Sequence, residues 1–142
     1  MGDKTKEIKQ YAALAYRMED GHPMVVLVTS RETKRWILPK GQPEARRKPF
    51  EVAAQEAYEE AGLVGAVSTK PFAEVASYKR LKDGREVPTR LTIYLMQVDK
   101  QLDEWPEMHQ RERRWVAPGE AALMVDEPGL VEALLEFGAA FL

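Results

Sequence analysis

The chain has 142 residues, of which 44% are hydrophobic and 31% charged, the size of one domain that buries its own core and too apolar for a disordered chain. Its 21 Lys and Arg against 23 Asp and Glu leave a net charge of −2, so it has no general basic field for a nucleic-acid polymer and any anion site must be built locally. The absence of Cys excludes disulfides, thiolate zinc sites and cysteine nucleophiles.

In chain order, Met1 to Glu7 is charged and polar, without the apolar core of a signal peptide. Gly2 is followed by Lys6 where an N-myristoylation signal has Ser or Thr. No apolar run approaches the ~20 residues of a membrane-spanning helix, so a cytoplasmic protein without membrane partners is expected. Ala12 to Met18 reads as a strand, Glu19 to Pro23 as a turn and Met24 to Thr29 as a strand buried on both faces, together a hairpin. Trp36 to Pro39 is a short strand. Lys40 to Pro49 reads as an irregular loop with Gly41 and the basic run Arg46-Arg47-Lys48.

From Phe50 the spacing turns helical: Phe50, Ala53, Ala54, Ala57 and Ala61 form one apolar stripe, and Gly62 stands at the C-cap. Phe72–Leu81 and Arg90–Val98 read as strands joined by the turn Lys82-Asp83-Gly84-Arg85. Trp115-Val116 is another short strand. Pro118 opens a helix to about Val125, and Pro128-Gly129 opens the last, with Leu130, Val131, Leu134, Leu135 and Phe137 as its apolar face. One domain over residues 8–140 is expected, α+β or a layered α/β/α sandwich around a mixed sheet.

The chemistry lies on the helix after the basic loop. Glu56, Glu59 and Glu60 stand at i, i+3 and i+4 and share one face. Two carboxylates about 5 Å apart repel by roughly 3 kcal/mol at an effective dielectric near 20. A hard divalent cation, Mg²⁺ or Mn²⁺, relieves that repulsion and keeps positions open for phosphate oxygens. The other account of such a pair is a solvated acidic face. The neighbouring cations Lys40, Arg46, Arg47 and Lys48 tip the balance, because a metal–phosphate site needs acids for the metal and bases for the anion.

Gly41, Glu56 and Glu59-Glu60-Ala61-Gly62-Leu63 resemble the Nudix box, a Gly–loop–helix signature. Gly41 precedes Gln55, the position of the box arginine, by fourteen residues, which is the family spacing. The flanks Trp36-Ile37-Leu38-Pro39-Lys40-Gly41, Trp105-Pro106-Glu107 and Arg113-Arg114-Trp115-Val116 are most similar to the diphosphoinositol-polyphosphate and diadenosine-polyphosphate branch. The resemblance implies a Nudix-type α/β/α sandwich and hydrolysis of a phosphoanhydride in a small phosphate-containing substrate. It implies Glu56, Glu59 and Glu60 as ligands of Mg²⁺ or Mn²⁺, with Glu59 or Glu60 helping to deprotonate the attacking water. Gly41 would let the loop backbone approach metal or substrate.

Two box positions depart. Arg47 stands at the first glutamate and Gln55 at the arginine, which reads as a replaced structural brace. These departures are also the support for the rival reading, a nucleotide- or phosphate-binding sensor without turnover. Glu44 and Glu51 are the nearby acids able to substitute as ligands. Lys40, Gly41, Arg46 and Arg47, with Arg31 and Arg35 from the cluster before Trp36, are the candidate substrate contacts. Lys79, Arg80, Lys82 and Arg85 read as solvated strand ends, and Arg111-Glu112-Arg113-Arg114 as a surface ladder first and a phosphate contact second. Trp36 and Trp115 read as core, Trp105 as the rim candidate, and His22 and His109 as surface. The last helix would permit a homodimer.

Overall fold

Val25 to Thr29 are all buried, and this run forms an inner strand of the sheet. The computed structural model describes residues 7–141, so the segment weighed above against a leader or lipid anchor lies, up to residue 6, outside the described residues. Strand β1 (Ile8–Glu19) pairs antiparallel with β2 (His22–Thr29) across a turn at Asp20 and Gly21. There follow β3 (Trp36–Ile37), β4 (Lys40–Gly41), α1 (Pro49–Ala61), β5 (Leu63–Val67) and β6 (Ala73–Arg80). The chain ends with β7 (Glu86–Gln101), β8 (Arg113–Val116), α2 (Pro118–Met124) and α3 (Pro128–Ala139).

All strands join one sheet of order β3-β2-β1-β7-β5, with β4 on β1, β6 on β7 and β8 on β2. The β1–β7 pair is parallel and the others are antiparallel, so the sheet is mixed, as expected. Each face carries its own core. Ala53, Ala57 and Ala61 of α1 lie on Ala13, Ala15, Val26 and Val28, and these small side chains let the helix lie close to the strands. On the other face Leu130, Ala133, Leu134 and Phe137 of α3 cover Leu14, Leu27, Leu91 and Ile93. The result is the expected α/β/α sandwich.

Several expectations need correction. Strand β1 begins at Ile8 because residues 8–11 pair with Thr89 to Thr92 of β7, a tertiary contact that overrides their polarity. Lys40 and Gly41, expected in a loop, bridge to Ala12 and Tyr11 of β1. Strand β5 was not expected: it is short, and a register shift at Val64 and Gly65 interrupts it. Leu135 is 53% exposed, because positions 130, 133, 134 and 137 make the stripe that meets the sheet.

Candidate active site

Helix α1 starts at Pro49, with the Glu51 carboxylate accepting the Lys48 backbone N–H at 2.7 Å, and stops at Gly62, whose φ of +65° is left-handed. Its last carbonyls are taken up from one distant segment. The N–H of Glu107 donates to Glu59 O at 3.0 Å, and Trp105 Nε1 to Glu60 O at 3.1 Å. Arg113 donates to Ala61 O at 2.8 Å, and the Leu102 N–H to Gly62 O at 2.8 Å. Trp105, expected at a rim, lies flat over Gly62 with the Arg113 guanidinium 4.0 Å above its ring. A Cβ on Gly62 would meet that indole at 2.9 Å. Gly62→Ala is therefore expected to cost about 2 kcal/mol, from the left-handed backbone and the displaced ring, read as a lower melting temperature.

This clamp fixes the acids. Glu60 is 4% exposed, its Oε1 accepting the Lys40 backbone N–H at 3.4 Å and its Oε2 lying 3.5 Å from Arg111. Glu56 lies against Gly41, where a Cβ would sit 2.6 Å from the carboxyl, so a larger residue there would push the Glu56 carboxyl aside. Glu59 turns aside and accepts Gln55 Nε2 at 3.0 Å. Among the described residues no three His, Cys, Asp or Glu side chains come together as a group able to hold a metal ion, so the expected set of Glu56, Glu59 and Glu60 is not assembled.

Burial, then the charge of Glu60, then Glu59, push the Glu56 carboxyl up to about 9. Burial pushes Glu60 up to about 7, with Arg111 opposing and Glu107 adding to the rise. Without a cation these carboxyls therefore tend to keep their protons. Their oxygens are hard donors of the kind a divalent cation takes, and Glu56 and Glu60 are the residues placed to hold one. Both groups have folded-state pKa values above the ordinary 4.5, so the unfolded chain releases their protons first as pH rises. The melting temperature of chelator-treated protein is therefore expected to fall between about pH 5 and pH 9, and saturating Mn²⁺ to flatten that fall; a scan of melting temperature against pH checks both.

Glu56 and Glu60 open into a cavity of about 440 Å³. Of the expected substrate contacts, Arg31, Arg35, Lys40 and Gly41 line it. Arg46 and Arg47 are exposed and do not. Arg47 instead pairs with Glu44 at 3.0 Å, because the loop carries both outward. Glu44 and Glu51, the acids named as possible substitutes, are thereby committed to Arg47 and the helix start. Lys79 and Arg80, expected to be solvated, are half-buried and line the cavity where the β6–β7 hairpin extends over it, whereas Lys82 at its edge stays solvated as expected, 86% exposed and 3.6 Å from Glu32. Arg85 remains outside, paired with Asp83 at 2.7 Å.

Arg111, expected on a surface ladder, is the largest omission from the expected site. Its side chain is 8% exposed and binds Glu107 at 2.8 Å and Thr29 O at 3.0 Å besides facing Glu60. Lys40 is buried to 11% exposure; burial lowers its pKa, opposed by the charge of Glu127. Trp36 and Trp115 pack against the two cores without being fully buried, and His22 and His109 are exposed as expected.

Comparison with known proteins agrees with this arrangement. The NUDIX domain family matches residues 8–137. Nudix hydrolase 4 of Arabidopsis thaliana is 31% identical over 116 residues, 80% of this chain and 53% of that protein. Diphosphoinositol polyphosphate phosphohydrolase 3-alpha of Homo sapiens is 28% identical over 109 residues, 75% of this chain and 62% of the human protein. The matched part of the chain thus spans between about half and two-thirds of these relatives' length. In fold, the C. elegans Ap4A hydrolase superposes with a TM-score of 0.68 over 96% of this chain and all of that one, at 17% identity. The NUDIX domain of Shewanella oneidensis NrtR, solved with ADP ribose, gives 0.67 over 93% of this chain and 88% of that one, at 15% identity. With the family match running through nearly the whole sheet and both helical layers, the chain belongs to the NUDIX domain family.

Proposed function

We propose that this chain is a divalent-metal-dependent pyrophosphohydrolase that cleaves a phosphoanhydride bond in a small polyphosphate-bearing substrate. One observation carries the reading: Glu56 and Glu60 share a single cavity with seven basic side chains, from Arg31 through Arg111. Carboxylates for a cation and bases for an anion converge where neither set balances the other. Glu60, at 4% exposure, is not part of a solvated acidic face.

Glu56 and Glu60 would hold Mg²⁺ or Mn²⁺, with Glu59 on the same helix face. When bound, the ion lowers the pKa of water and offsets charge on the transferring phosphoryl group. Arg31, Arg35 and Lys40 grip the phosphate chain from one side of the cavity, and Lys79, Arg80 and Lys82 from the other. Arg111 keeps Glu60 in place and adds positive charge beside the reacting phosphate. Glu60, which lines the cavity, would accept the proton of the attacking water; Glu59 could do so only by leaving Gln55.

Inositol pyrophosphates and dinucleoside polyphosphates are the favoured substrates, in keeping with the names of the human relative and the nematode fold neighbour. Among the described residues lining the cavity none is aromatic, which favours a ligand held by its phosphates over one held by a stacked base. The second reading is a ligand-binding sensor without turnover, supported by Glu59 being engaged with Gln55 and by Arg47 lying outside the site. Phosphate release from a panel of inositol pyrophosphates, dinucleoside polyphosphates and ADP-ribose, assayed in parallel with Mg²⁺ and Mn²⁺, decides. Turnover with either metal supports the enzyme; ligand binding with no turnover under both establishes the sensor.

A further inference from the structure

On the α3 face of the sheet, which is otherwise apolar, polar side chains line up across four adjacent strands. Lys40 on β4 is opposite Ala12, and Gln10 lies two residues before Ala12 on β1, so the two share a face. Thr89 on β7 shares the face of Leu91 and Ile93, and it is paired with Ser77 on β6. Glu127, the residue before α3, reaches this row from above. Its Oε1 accepts the Ser77 hydroxyl and lies 3.8 Å from Lys40 Nζ.

Glu127 is 1% exposed and its Oε2 is buried without a partner, as are Gln10 Oε1 and Thr89 Oγ1. A buried carboxylate with one oxygen unpaired is costly to the fold, so its retention calls for a return elsewhere. That return is at Lys40. A separation of 3.8 Å exceeds hydrogen-bond length, so Glu127 draws the ammonium by charge and leaves its N–H donors for another acceptor. Lys40 lines the cavity; Glu127 does not. Arg35 and Lys79 line the same cavity, and their charges would drive an unanchored ammonium outward.

We propose that Glu127 is a positioning residue for phosphate binding: from behind the cavity wall it anchors the Lys40 ammonium so that its donors meet a phosphate of the ligand. This rests on the phosphate-binding reading above. The test is a double-mutant cycle on binding of imidodiphosphate, a non-hydrolysable analogue of pyrophosphate, with Mg²⁺, followed by calorimetry. Glu127→Gln keeps an acceptor for Ser77 and removes the charge. It is expected to weaken binding about five- to tenfold, Lys40→Met by at least as much, and the double variant no more than Lys40→Met alone. On the best substrate of the panel Glu127→Gln should raise KM and leave kcat within about twofold. Ser77→Ala, which frees the Glu127 carboxylate to turn, should give a smaller loss of the same kind and serves if Glu127→Gln folds poorly.

An unchanged affinity in Glu127→Gln, or an equal loss in the Lys40→Met background, overturns the inference while leaving the proposed function intact. A wild-type chain that neither binds imidodiphosphate nor hydrolyses any member of the panel overturns both.

Discussion

Glu56→Gln is expected to lower turnover with Mg²⁺ by about 10²–10³-fold and, at the same time, to make the metal-free protein more stable. The two effects share one cause. Glu56 has Glu60 and Glu59 as its charged neighbours, and burial and their charges push its carboxyl up to about 9. A neutral amide of the same shape removes the repulsion that folding must overcome, and with it the charge that attracts a cation. In chelator a gain of about 1 kcal/mol would appear as a rise of roughly 3–4 °C in melting temperature. Added Mn²⁺ should raise the wild-type melting temperature and barely move that of the variant. A variant that loses activity together with metal-free stability would place Glu56 in the architecture and not in the chemistry.

The largest loss of stability is expected from Arg111→Met. Its guanidinium faces Glu60, binds Glu107 and closes on Thr29 O, all with little solvent access. Removing one partner of a buried pair leaves the other charge stranded, at about 3–5 kcal/mol. For a chain of this length that amounts to roughly 10–15 °C in melting temperature. Arg111→Met combined with Glu60→Gln should recover a substantial part of the loss, because the stranded charge is gone. If the double variant melts no higher than Arg111→Met alone, the Thr29 carbonyl and Glu107 dominate the contribution of Arg111.

What the sequence made legible was local. The i, i+3, i+4 acids, the alanine stripe and the Gly62 stop lie within one helix and its cap, where spacing translates directly into a face. The mixed sheet and its two helical layers followed from the order of apolar runs. Strand β5 escaped because five residues with an internal register shift carry too little periodicity. The cavity's second side escaped for a different reason. Lys79 and Arg80 alternate with nothing that distinguishes a strand end in solvent from one folded over a site; the β6–β7 hairpin decides which they are. Arg111 sits in a mixed-sign run whose neighbours argue for solvent, and its partner Glu60 belongs to a helix far back in the chain. The same holds for Glu127, whose acidic neighbour Asp126 is exposed while it is not. Arg46 and Arg47 show the converse: proximity to the acids in sequence did not place them in the cavity.

The four donors that hold the end of α1 come from Leu102, Trp105, Glu107 and Arg113, all made after the helix they secure. A ribosome that has delivered the first hundred residues has already released Glu56 and Glu60, together with Lys40, Gly41 and Gln55 beside the acids, but neither Arg111 nor the donors that hold the end of their helix. Nascent chains halted before Arg113 should therefore carry the acidic helix with a frayed end, and competence for the cation should arise only late in synthesis, once the stretch preceding β8 has docked.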